Sequence, residues 1–259
     1  MPTGPPLTEQ VDELRVEVYP DREAMGRAAA AAVARWLREA AARGRARVIF
    51  ASAPSQRELL AALAVEDVAW DRVEAFHMDE YVGLDPQDGA SFSSFVRRNL
   101  LSRVSAHAFH VIDGSQPPEG EAERYAALLR EAPIDVVCAG VGENGHLAFN
   151  DPGTADFNDP VLVKRVELEE ASRRQQVHDG TFPDVESVPR AALTLTVPAL
   201  TAAAHIACAV PGPLKRDAVH RLLRGPLQPA CPASVLRLHR DAVLYLDREA
   251  YDRDEGEWR

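Results

Sequence analysis

The pattern of apolar and polar positions switches repeatedly between helical and strand periodicity along the chain. Apolar residues recur at helical spacing over residues 21–43, and Gly44 follows at the position of a C-cap glycine. Short apolar runs bounded by turn residues, which are typical of buried strands, cover 48–51, 73–77, 134–139, 192–197, 205–210 and 243–246. Further helices are predicted at 56–65, 93–102, 121–131 and 215–223. This alternation predicts an α/β fold in which a single doubly wound, Rossmann-like, mostly parallel sheet carries helices on both faces.

The two ends of the chain and one internal region lack this periodicity. We expect a disordered lead over 1–10, a single α/β domain over 11–250 and an acidic tail over 251–259. After the glycine-rich turn at 140–145, the chain is polar and interrupted by prolines up to about Pro189. No helix or strand is predicted in that region.

Composition narrows the class of protein. The 259 residues include 46% hydrophobic and 27% charged residues, as in a globular protein with a full core, and the net charge is −11. This acidic balance argues against a nucleic-acid partner, because binding to a phosphate backbone needs a basic surface. The first residues lack a basic start and an apolar run, so we expect a cytoplasmic protein without a membrane partner. The sequence leaves the oligomeric state open, with a homo-oligomer as one option.

The cysteines and histidines do not indicate a metal site. Cys138, Cys208 and Cys231 have no C-x-x-C spacing, and we expect them to be reduced thiols in the core. No two histidines have the i, i+4 spacing of a helical zinc pair. We therefore expect no metal ion.

The segment G-V-G-E-N-G-H-L-A-F-N-D-P, at 140–152, follows directly on a predicted strand. It brings Asn144, His146 and Asp151 within eight residues, which is how an α/β enzyme displays proton-transfer groups at the carboxyl end of a strand. Its glycines also satisfy the dinucleotide-binding pattern G-x-G-x-x-G, but that pattern needs a helix at the third glycine, and the prolines that follow favour a loop. We therefore expect no nicotinamide cofactor, and we interpret Gly142 and Gly145 as positions where the backbone approaches a small ligand.

A second candidate segment, F-H-M-D-E-Y-V-G-L at 76–84, also lies at the end of a predicted strand. Because the carboxyl ends of parallel strands meet at one edge of a sheet, Asp79 and His146 are expected in the same crevice. Neighbouring side chains of an extended segment point to opposite sides. Glu80 is therefore expected to have a structural role.

These two segments resemble those of the glucosamine-6-phosphate deaminase (isomerase) family, whose members carry M-D-E-Y-V-G-L and G-x-G-x-N/D-G-H-x-A-F-N-E-P. Three further stretches are similar and follow in the matching order: V-P-R-A-A-L-T-L-T at 188–196, P-G-P-L-K at 211–215 and P-A-S-V-L-R-L-H at 232–239. The resemblance therefore covers most of the chain. It implies an enzyme that needs no cofactor and converts an amino sugar 6-phosphate, above all glucosamine 6-phosphate, to a ketose phosphate and ammonia in amino sugar catabolism.

The resemblance also implies roles for individual residues. Asp79 would take the proton from C2 of the opened sugar and return it to C1. His146 would move a proton between the ring oxygen and the anomeric hydroxyl during ring opening, with Asp151 orienting it or setting its tautomer. Asp151 stands where the family usually has a glutamate, whereas Asn144 is one of the family's two usual residues.

The loop that would bind the sugar's phosphate departs from the family pattern. The family's T-G-G-T-P is replaced by A-S-A-P-S-Q at 51–56. Ser52, Ser55, Gln56 and the backbone N–H groups of the following helix remain as candidate anion ligands.

The resemblance implies two further phosphate ligands, an arginine and a lysine. The family's arginine in an N-S-R-F-F stretch has no match within 173–182, and Arg173 or Arg174 is a candidate substitute. Lys215 is retained at a predicted helix start. The helix dipole disfavours a cation there, which favours a functional use such as holding phosphate.

Two alternative functions stay open. The 6-phosphogluconolactonase branch of the same superfamily, a hydrolase, favours G-x-D-G-H-T-A-S-L-F-P, where this chain has H-L-A-F-N-D-P after the glycines. A non-catalytic sugar-phosphate sensor usually loses the base and keeps the phosphate ligands, whereas this chain has Asp79 and His146 and an altered phosphate loop. The isomerising deaminase is the leading hypothesis.

Overall fold

The computed structural model describes residues 6–251, which form a large sheet, a small sheet and the helices that pack on them. The strands are β1 (Leu7–Val11), β2 (Leu14–Tyr19), β3 (Ala46–Phe50), β4 (Val73–His77), β5 (Asp79–Tyr81), β6 (Ala108–His110), β7 (Val136–Ala139), β8 (Val163–Glu167), β9 (Ala191–Leu195), β10 (His205–Val210) and β11 (Ala242–Asp247). The helices are α1 (Arg22–Arg43), α2 (Arg57–Leu63), α3 (Phe92–Val96), α4 (Pro118–Arg130), α5 (Glu170–His178), α6 (Val197–Thr201) and α7 (Arg216–Arg224).

The large sheet has eight strands in the order β1-β2-β11-β10-β7-β3-β4-β6. All neighbouring pairs are parallel except β1 and β2, which are antiparallel. The prediction of a mostly parallel sheet in an α/β fold is confirmed.

Two hydrophobic cores cover the two faces of this sheet. Along β3, Val48 and Phe50 belong to the core under α1 and α2, whereas Ile49 belongs to the core on the other face, with Tyr125 of α4 and Val219 of α7. This division follows from the twofold alternation of side chains along a strand. Because both faces are covered, the central strands are apolar throughout, which is why short apolar runs marked them in the sequence.

A small antiparallel sheet in the order β5-β9-β8, which the sequence did not predict, lies beside the large one. Its register pairs Asp79 with Thr194 and Tyr81 with Ala192. A separate aromatic cluster packs on it, formed by Tyr81, Phe92 and Phe149. The chain leaves β4 and enters this second sheet at once, and this change of sheet fixes the position of Asp79.

The expected disordered lead is wrong for residues 7–10. They form most of β1, which pairs with β2 in a hairpin, and Leu7, Glu9 and Val11 are half-buried while Thr8 and Gln10 between them are exposed. The short alternating pattern was too polar to stand out in the sequence, but pairing with β2 satisfies its backbone. Residues 1–5 of the expected lead and residues 252–259 of the expected tail lie outside the described part of the chain.

The polar region before Pro189 contains two elements that the sequence did not predict, β8 and α5. The buried face of α5 carries Ser172, Gln175 and Gln176 rather than apolar residues. A helix that buries polar side chains lacks the apolar stripe on which helix prediction depends. The helix was therefore missed for a structural reason. Its buried face is polar because it lines the candidate active site.

Other expectations concern the surface and the thiols. Within residues 6–251, no helix has the length and apolar character needed to cross a membrane. Cys138, Cys208 and Cys231 are buried free thiols. Burial raises the pKa of Cys138 and of Cys208 well above the ordinary thiol value, so both are packed in the core as protonated thiols.

Candidate active site

A crevice lies at the carboxyl ends of β3, β4, β7 and β10, where these strands pass into loops. Its lining includes Ser52 after β3, Asp79 after β4, Gly142 and His146 after β7, and Lys215 after β10. The carboxyl edge of a parallel sheet is the usual ligand site of α/β proteins. The two segments identified in the sequence therefore meet in one crevice, as expected for Asp79 and His146.

The loop after β7 holds the imidazole of His146 against its own backbone. The Gly142 amide donates to the His146 carbonyl at 3.0 Å, and the His146 amide donates to Asn144 Oδ1 at 3.1 Å. A Cβ on Gly142 would lie 2.2 Å from Cε1 of the His146 ring, so only glycine leaves room for the ring there. Gly145 has φ +90°, which requires glycine for a different reason.

Gly145 was expected to let the backbone approach a small ligand, but it does not line the crevice. Gly145 faces away from the crevice, where a Cβ would lie 3.2 Å from Cys231 Sγ. It permits the turn, whereas Gly142 lines the crevice. The two glycines thus have separate roles. Gly145 allows the turn of the loop, and Gly142 is the one at which a ligand can approach the backbone. As expected from the prolines, no helix begins at Gly145.

A buried network of hydrogen bonds orients His146. Its Nδ1 lies 3.2 Å from Asp151 Oδ1 and 3.1 Å from Ser172 Oγ. The same Asp151 oxygen accepts hydrogen bonds from Ser172 Oγ at 2.5 Å and from Asn144 Nδ2 at 2.9 Å. Asp151 is only 1% exposed. Ser172, which lies on α5, was not predicted as a site residue.

The donors and acceptors of this network determine which ring nitrogen of a neutral His146 carries the proton. The single hydroxyl proton of Ser172 is donated to Asp151, so His146 Nδ1 must carry a proton to donate to Ser172 or Asp151. The other ring nitrogen, Nε2, then has a free lone pair. Burial raises the pKa of Asp151, but the hydrogen bond and charge of His146, with the hydrogen bonds from Ser172 and Asn144, outweigh burial and hold it below its ordinary value. The network is therefore built around an ionised Asp151.

Asp79 has the opposite environment. It is 7% exposed and lines the crevice, and its carboxylate makes no hydrogen bond within residues 6–251. Burial, followed by the charge of Glu80, raises the pKa of Asp79 well above its ordinary value. A desolvated carboxylate without hydrogen bonds is a stronger base than one in water, which suits proton abstraction from carbon.

Glu80 points away from the crevice and anchors the next helix. Its carboxylate accepts from the backbone amides of Tyr81 at 3.0 Å, Phe92 at 3.1 Å and Ser93 at 3.1 Å. Burial raises the pKa of Glu80 to about 7, although these three amides oppose the shift. The observed contacts agree with the structural role expected for Glu80.

A second set of lining residues, which we call the phosphate end, includes those expected to hold phosphate. Ser52, Ser55 and Lys215 line the crevice, whereas Gln56 lies behind them, with Nε2 donating to the Ala209 carbonyl at 3.1 Å. Gln56 is thus placed beside the loop rather than in the crevice, because its amide is used to join the loop to β10. Ser52 Oγ is buried without a hydrogen-bond partner within residues 6–251.

The two arginines considered as substitutes do not reach this end. Arg174 is exposed and pairs with Glu170 one helical turn away. Arg173 donates to the carbonyls of Val185 and Val188 and braces the loop after α5. Arg174 therefore faces solvent and does not line the crevice in this structure, and its role in substrate binding stays a prediction.

Residues of α5 and the residue directly after it, which sequence reasoning missed, line the crevice instead. Gln175, Gln176 and Asp179 face it. Burial lowers the pKa of Lys215, while Asp179 and Glu143 act against this by stabilising its charge. Burial also raises the pKa of Asp179. The charge of Lys215 is therefore partly offset by these two carboxylates. No sequence motif indicated that they would lie near it.

No group of three or more histidine, cysteine, aspartate or glutamate side chains within residues 6–251 has a metal-binding arrangement. The titratable groups of the crevice instead form one hydrogen-bonded set around His146 and one desolvated carboxylate, Asp79. One environment holds the Asp151 carboxylate ionised, and the other leaves the Asp79 carboxylate able to gain and lose a proton. This arrangement suits general acid–base chemistry on a small ligand.

Comparison with known proteins identifies the family. The family described as glucosamine-6-phosphate isomerases/6-phosphogluconolactonase matches residues 20–245. The chain belongs to this family. It is 36% identical over 186 residues to a glucosamine-6-phosphate deaminase of Exiguobacterium sibiricum, an alignment that covers 70% of this chain and 72% of that protein. A glucosamine-6-phosphate deaminase of Bacillus thuringiensis is 36% identical over 180 residues, covering 69% of this chain and 67% of that protein.

Solved structures show the same fold. A protein described as a monomeric glucosamine-6-phosphate deaminase superposes with a TM-score of 0.83 at 26% identity, covering 91% of this chain and 98% of that one. A 6-phosphogluconolactonase from Shewanella baltica superposes with a TM-score of 0.76 at 22% identity, covering 92% of this chain and 98% of that one. Family membership thus leaves two activities to be separated by the residues of the crevice.

Proposed function

We propose that this member of the family is an isomerising deaminase that converts a 2-amino-2-deoxy aldose 6-phosphate, most directly glucosamine 6-phosphate, and water to a ketose 6-phosphate and ammonia. The observation that carries the proposal is the pairing of Asp79 with the His146 network in one crevice. The curated relatives that match the chain at 36% identity carry this activity in their names, which supports the same substrate class.

The first step assigned to the crevice is ring opening. With Nδ1 protonated and bonded to Ser172 and Asp151, Nε2 of His146 accepts the proton of the anomeric hydroxyl. The same nitrogen then delivers that proton to the ring oxygen as the bond from C1 to the ring oxygen breaks. The ionised Asp151 stabilises the imidazolium that exists between the two transfers.

The second step is the transfer of hydrogen between carbons. Asp79 takes the proton from C2, the C2–H electron pair forms the C1–C2 double bond of an enolamine, and the C1=O π pair moves to O1, which takes a proton from solvent. The same carboxyl group then returns its proton to C1, and the nitrogen releases a proton to solvent as the C2=N bond of the ketimine forms. The resulting ketimine is hydrolysed by water, and ammonia leaves. Asp79 must be ionised at the start, and its lack of hydrogen bonds leaves both carboxylate oxygens able to act.

The end of the crevice with Ser52, Ser55 and Lys215 is assigned to the phosphate-bearing end of the sugar. Gln175 and Gln176 supply neutral polar groups toward the hydroxyls between the two ends. A homo-oligomer and a cytoplasmic location stay predictions, and neither bears on this chemistry.

Ammonia release from a panel of amino sugars, each with and without a 6-phosphate, tests the proposal. We expect release from glucosamine 6-phosphate together with formation of fructose 6-phosphate, detected by a coupled enzyme. Hydrolysis of 6-phosphogluconolactone without ammonia release from any amino sugar would favour the lactonase branch instead. Binding of sugar phosphates without either reaction would indicate a sensor.

A further inference from the structure

A second, outer compartment adjoins the phosphate end of the crevice. This compartment lies between the loop after β3, the start of α3 and the end of α5, and its lining includes Ser52, Arg57, Phe92, Arg98, Asp179 and Thr181. Ser52, Phe92 and Asp179 line the catalytic crevice as well. Because three residues are shared, the two spaces adjoin at these residues, and Ser52 lines both of them.

The outer compartment has an excess of positive charge. Arg57 and Arg98 contribute two guanidinium groups to the lining, against the single carboxylate of Asp179. Within residues 6–251, the Arg57 side chain makes no hydrogen bond or ion pair, and Arg98 donates one hydrogen bond, from Nη2 to the Gly89 carbonyl at 2.9 Å. Most of the donors of both groups are therefore available. A guanidinium offers parallel N–H groups that match the oxygens of a phosphate.

A buried hydroxyl at the junction provides independent evidence for a ligand. Ser52 is 9% exposed, and its Oγ has no hydrogen-bond partner within residues 6–251 although it lines both spaces. A buried polar atom without a partner costs free energy unless a ligand or water satisfies it. The outer compartment has a volume of about 180 Å³. This is many times the roughly 10–15 Å³ that one water needs, so a larger polar group fits.

We propose that this outer compartment binds a phosphate monoester or phosphate ion, with Arg57 and Arg98 supplying the charge and Ser52 donating to it from the junction. The family's arginine is absent from the inner end, and Lys215 there is compensated by Asp179 and Glu143. The arginines of the outer compartment replace that missing charge from the other side of Ser52. The ligand is either the substrate's own phosphate, which would then lie at the Ser52 junction between the inner end and the two arginines and rests on the proposed function, or a separate phosphate ion in the outer compartment.

Binding titrations and steady-state kinetics on the full chain test this site. The proteins are wild type, Arg57→Ala, Arg98→Ala and the double variant, with Arg98→Lys to retain charge without the guanidinium fork. Isothermal titration with glucose 6-phosphate and with inorganic phosphate measures affinity. The kinetic measure is kcat/KM for glucosamine 6-phosphate divided by kcat/KM for glucosamine. Arg103→Ala is the matched control, since Arg103 is exposed, lies shortly after α3 and is outside the lining.

We expect each alanine variant to bind glucose 6-phosphate about ten-fold more weakly than wild type, in line with the loss of one charged hydrogen-bond partner, and the double variant to be weaker still. Arg98→Lys should recover part of the loss, and Arg103→Ala should bind as wild type does. If the substrate's phosphate occupies the site, the kinetic ratio falls in parallel. If a separate ion occupies it, the affinity for inorganic phosphate falls while the ratio is kept.

Two results would overturn the site. One is a wild-type protein that binds neither glucose 6-phosphate nor inorganic phosphate, and the other is a double variant that binds both as wild type does. Failure of the proposed function is a separate result, because it would show as absence of ammonia release from every amino sugar phosphate. The titrations decide the phosphate site in that case too, since glucose 6-phosphate has no amino group to lose.

Discussion

The two ends of the crevice are built in opposite ways. At the catalytic end, His146, Asp151, Ser172 and Asn144 bond to one another, and His146 is held from both its backbone and its Nδ1. At the phosphate end, Ser52 Oγ has no partner within residues 6–251. One end is complete without a ligand, whereas the other leaves hydrogen-bonding capacity for a ligand to satisfy.

This difference reflects two requirements of the same crevice, which are to orient proton-transfer groups and to bind an anion. Groups that move protons must be held in one orientation and one tautomer before the substrate arrives, so they are bonded to the protein. Groups that only bind an anion gain most when their donors are free until the ligand satisfies them. Asp79 is the exception at the catalytic end. Its carboxylate has no hydrogen bond within residues 6–251, which suits the proposed role of exchanging a proton rather than orienting another group.

The largest expected effect is that of Asp79→Asn. Loss of the only group assigned to carbon proton transfer should lower kcat for ammonia release by about 10²–10⁴-fold, the usual contribution of a positioned base. Affinity for a non-reacting sugar phosphate should stay close to that of wild type. Rapid-quench ammonia assays and isothermal titration measure the two quantities, and near-normal turnover in this variant would exclude Asp79 as the base.

The same substitution should stabilise the fold at neutral pH. Because the pKa of Asp79 is raised in the folded state, the protein binds this proton more tightly than the unfolded chain does, and the benefit is lost as pH rises through the folded pKa. Asparagine removes the unfavourable ionised form, so the Tm at pH 7.5 should rise relative to wild type, and the difference should shrink as the pH approaches 4. A Tm that is lower at every pH would indicate that the carboxylate has a structural partner.

The raised pKa also affects the pH profile of wild type. Only the ionised form of Asp79 abstracts the proton, so kcat/KM should fall with acidification at a higher pH than an ordinary aspartate would give. The direction follows from burial and from the charge of Glu80.

The next effect in size is that of His146→Gln. Glutamine keeps a hydrogen-bonding side chain but cannot carry a proton between two oxygens, so turnover of the cyclic sugar should fall by about 10²-fold. An analogue fixed in the open-chain form should still exchange its C2 proton with solvent at the rate set by Asp79. Deuterium incorporation followed by NMR measures this exchange. Equal losses on both compounds would assign His146 to the carbon step or to the scaffold.

The catalytic end was the part of the site that could be predicted from the sequence. His146 and Asp79 stand in short segments at strand ends, and both the crevice position and the opposite orientation of Glu80 follow from strand geometry. The phosphate end could not be predicted in the same way. Ser52, Ser55 and Lys215 were predicted there and line it, but Gln175, Gln176 and Asp179 were not, because the polar face of α5 has no apolar periodicity that would reveal the helix.

Arg174 illustrates the physical reason. Its charge made it a candidate, but only the position of α5 determines that Arg174 faces solvent while Gln175 and Gln176, one and two residues later, face the crevice. A rotation of about 100° per residue separates neighbours on a helix, so the direction of a side chain cannot be inferred without the helix. The five central strands of the large sheet, from β11 to β4, were predicted for the opposite reason, since short apolar runs alone define them, whereas β1, β2 and β6 at its two edges were not predicted.

Lys215→Ala should have a smaller effect than either catalytic substitution. Loss of a charged hydrogen-bond partner costs about 1.5–3 kcal/mol, but Asp179 and Glu143 already offset part of the Lys215 charge. We therefore expect KM for glucosamine 6-phosphate to rise by about 10-fold, near the lower limit of that range. The ratio of kcat/KM for the 6-phosphate over the free sugar measures the loss. Arg216→Ala, which removes an exposed charge next in the chain, is the control. A strong preference for phosphate that survives Lys215→Ala would remove this lysine from the phosphate end.

Ser172→Ala should have the smallest effect and should distinguish positioning from packing. Ser172 touches no part of the site assigned to the sugar, but it donates to Asp151 and is bonded to His146 Nδ1. Losing these bonds costs about 0.5–1.5 kcal/mol, so kcat on the cyclic sugar should fall by roughly 2- to 12-fold with little change in KM. Because the defect lies in the orientation of His146, the open-chain analogue should exchange its C2 proton as fast as with wild type, and Ser172→Thr, which keeps the hydroxyl, should recover most of the activity. A residue that only filled space would instead lower the Tm and slow both compounds alike, and threonine would not rescue it. If the alanine variant showed that second pattern, the orientation of His146 would have to be assigned to Asp151 and Asn144 alone.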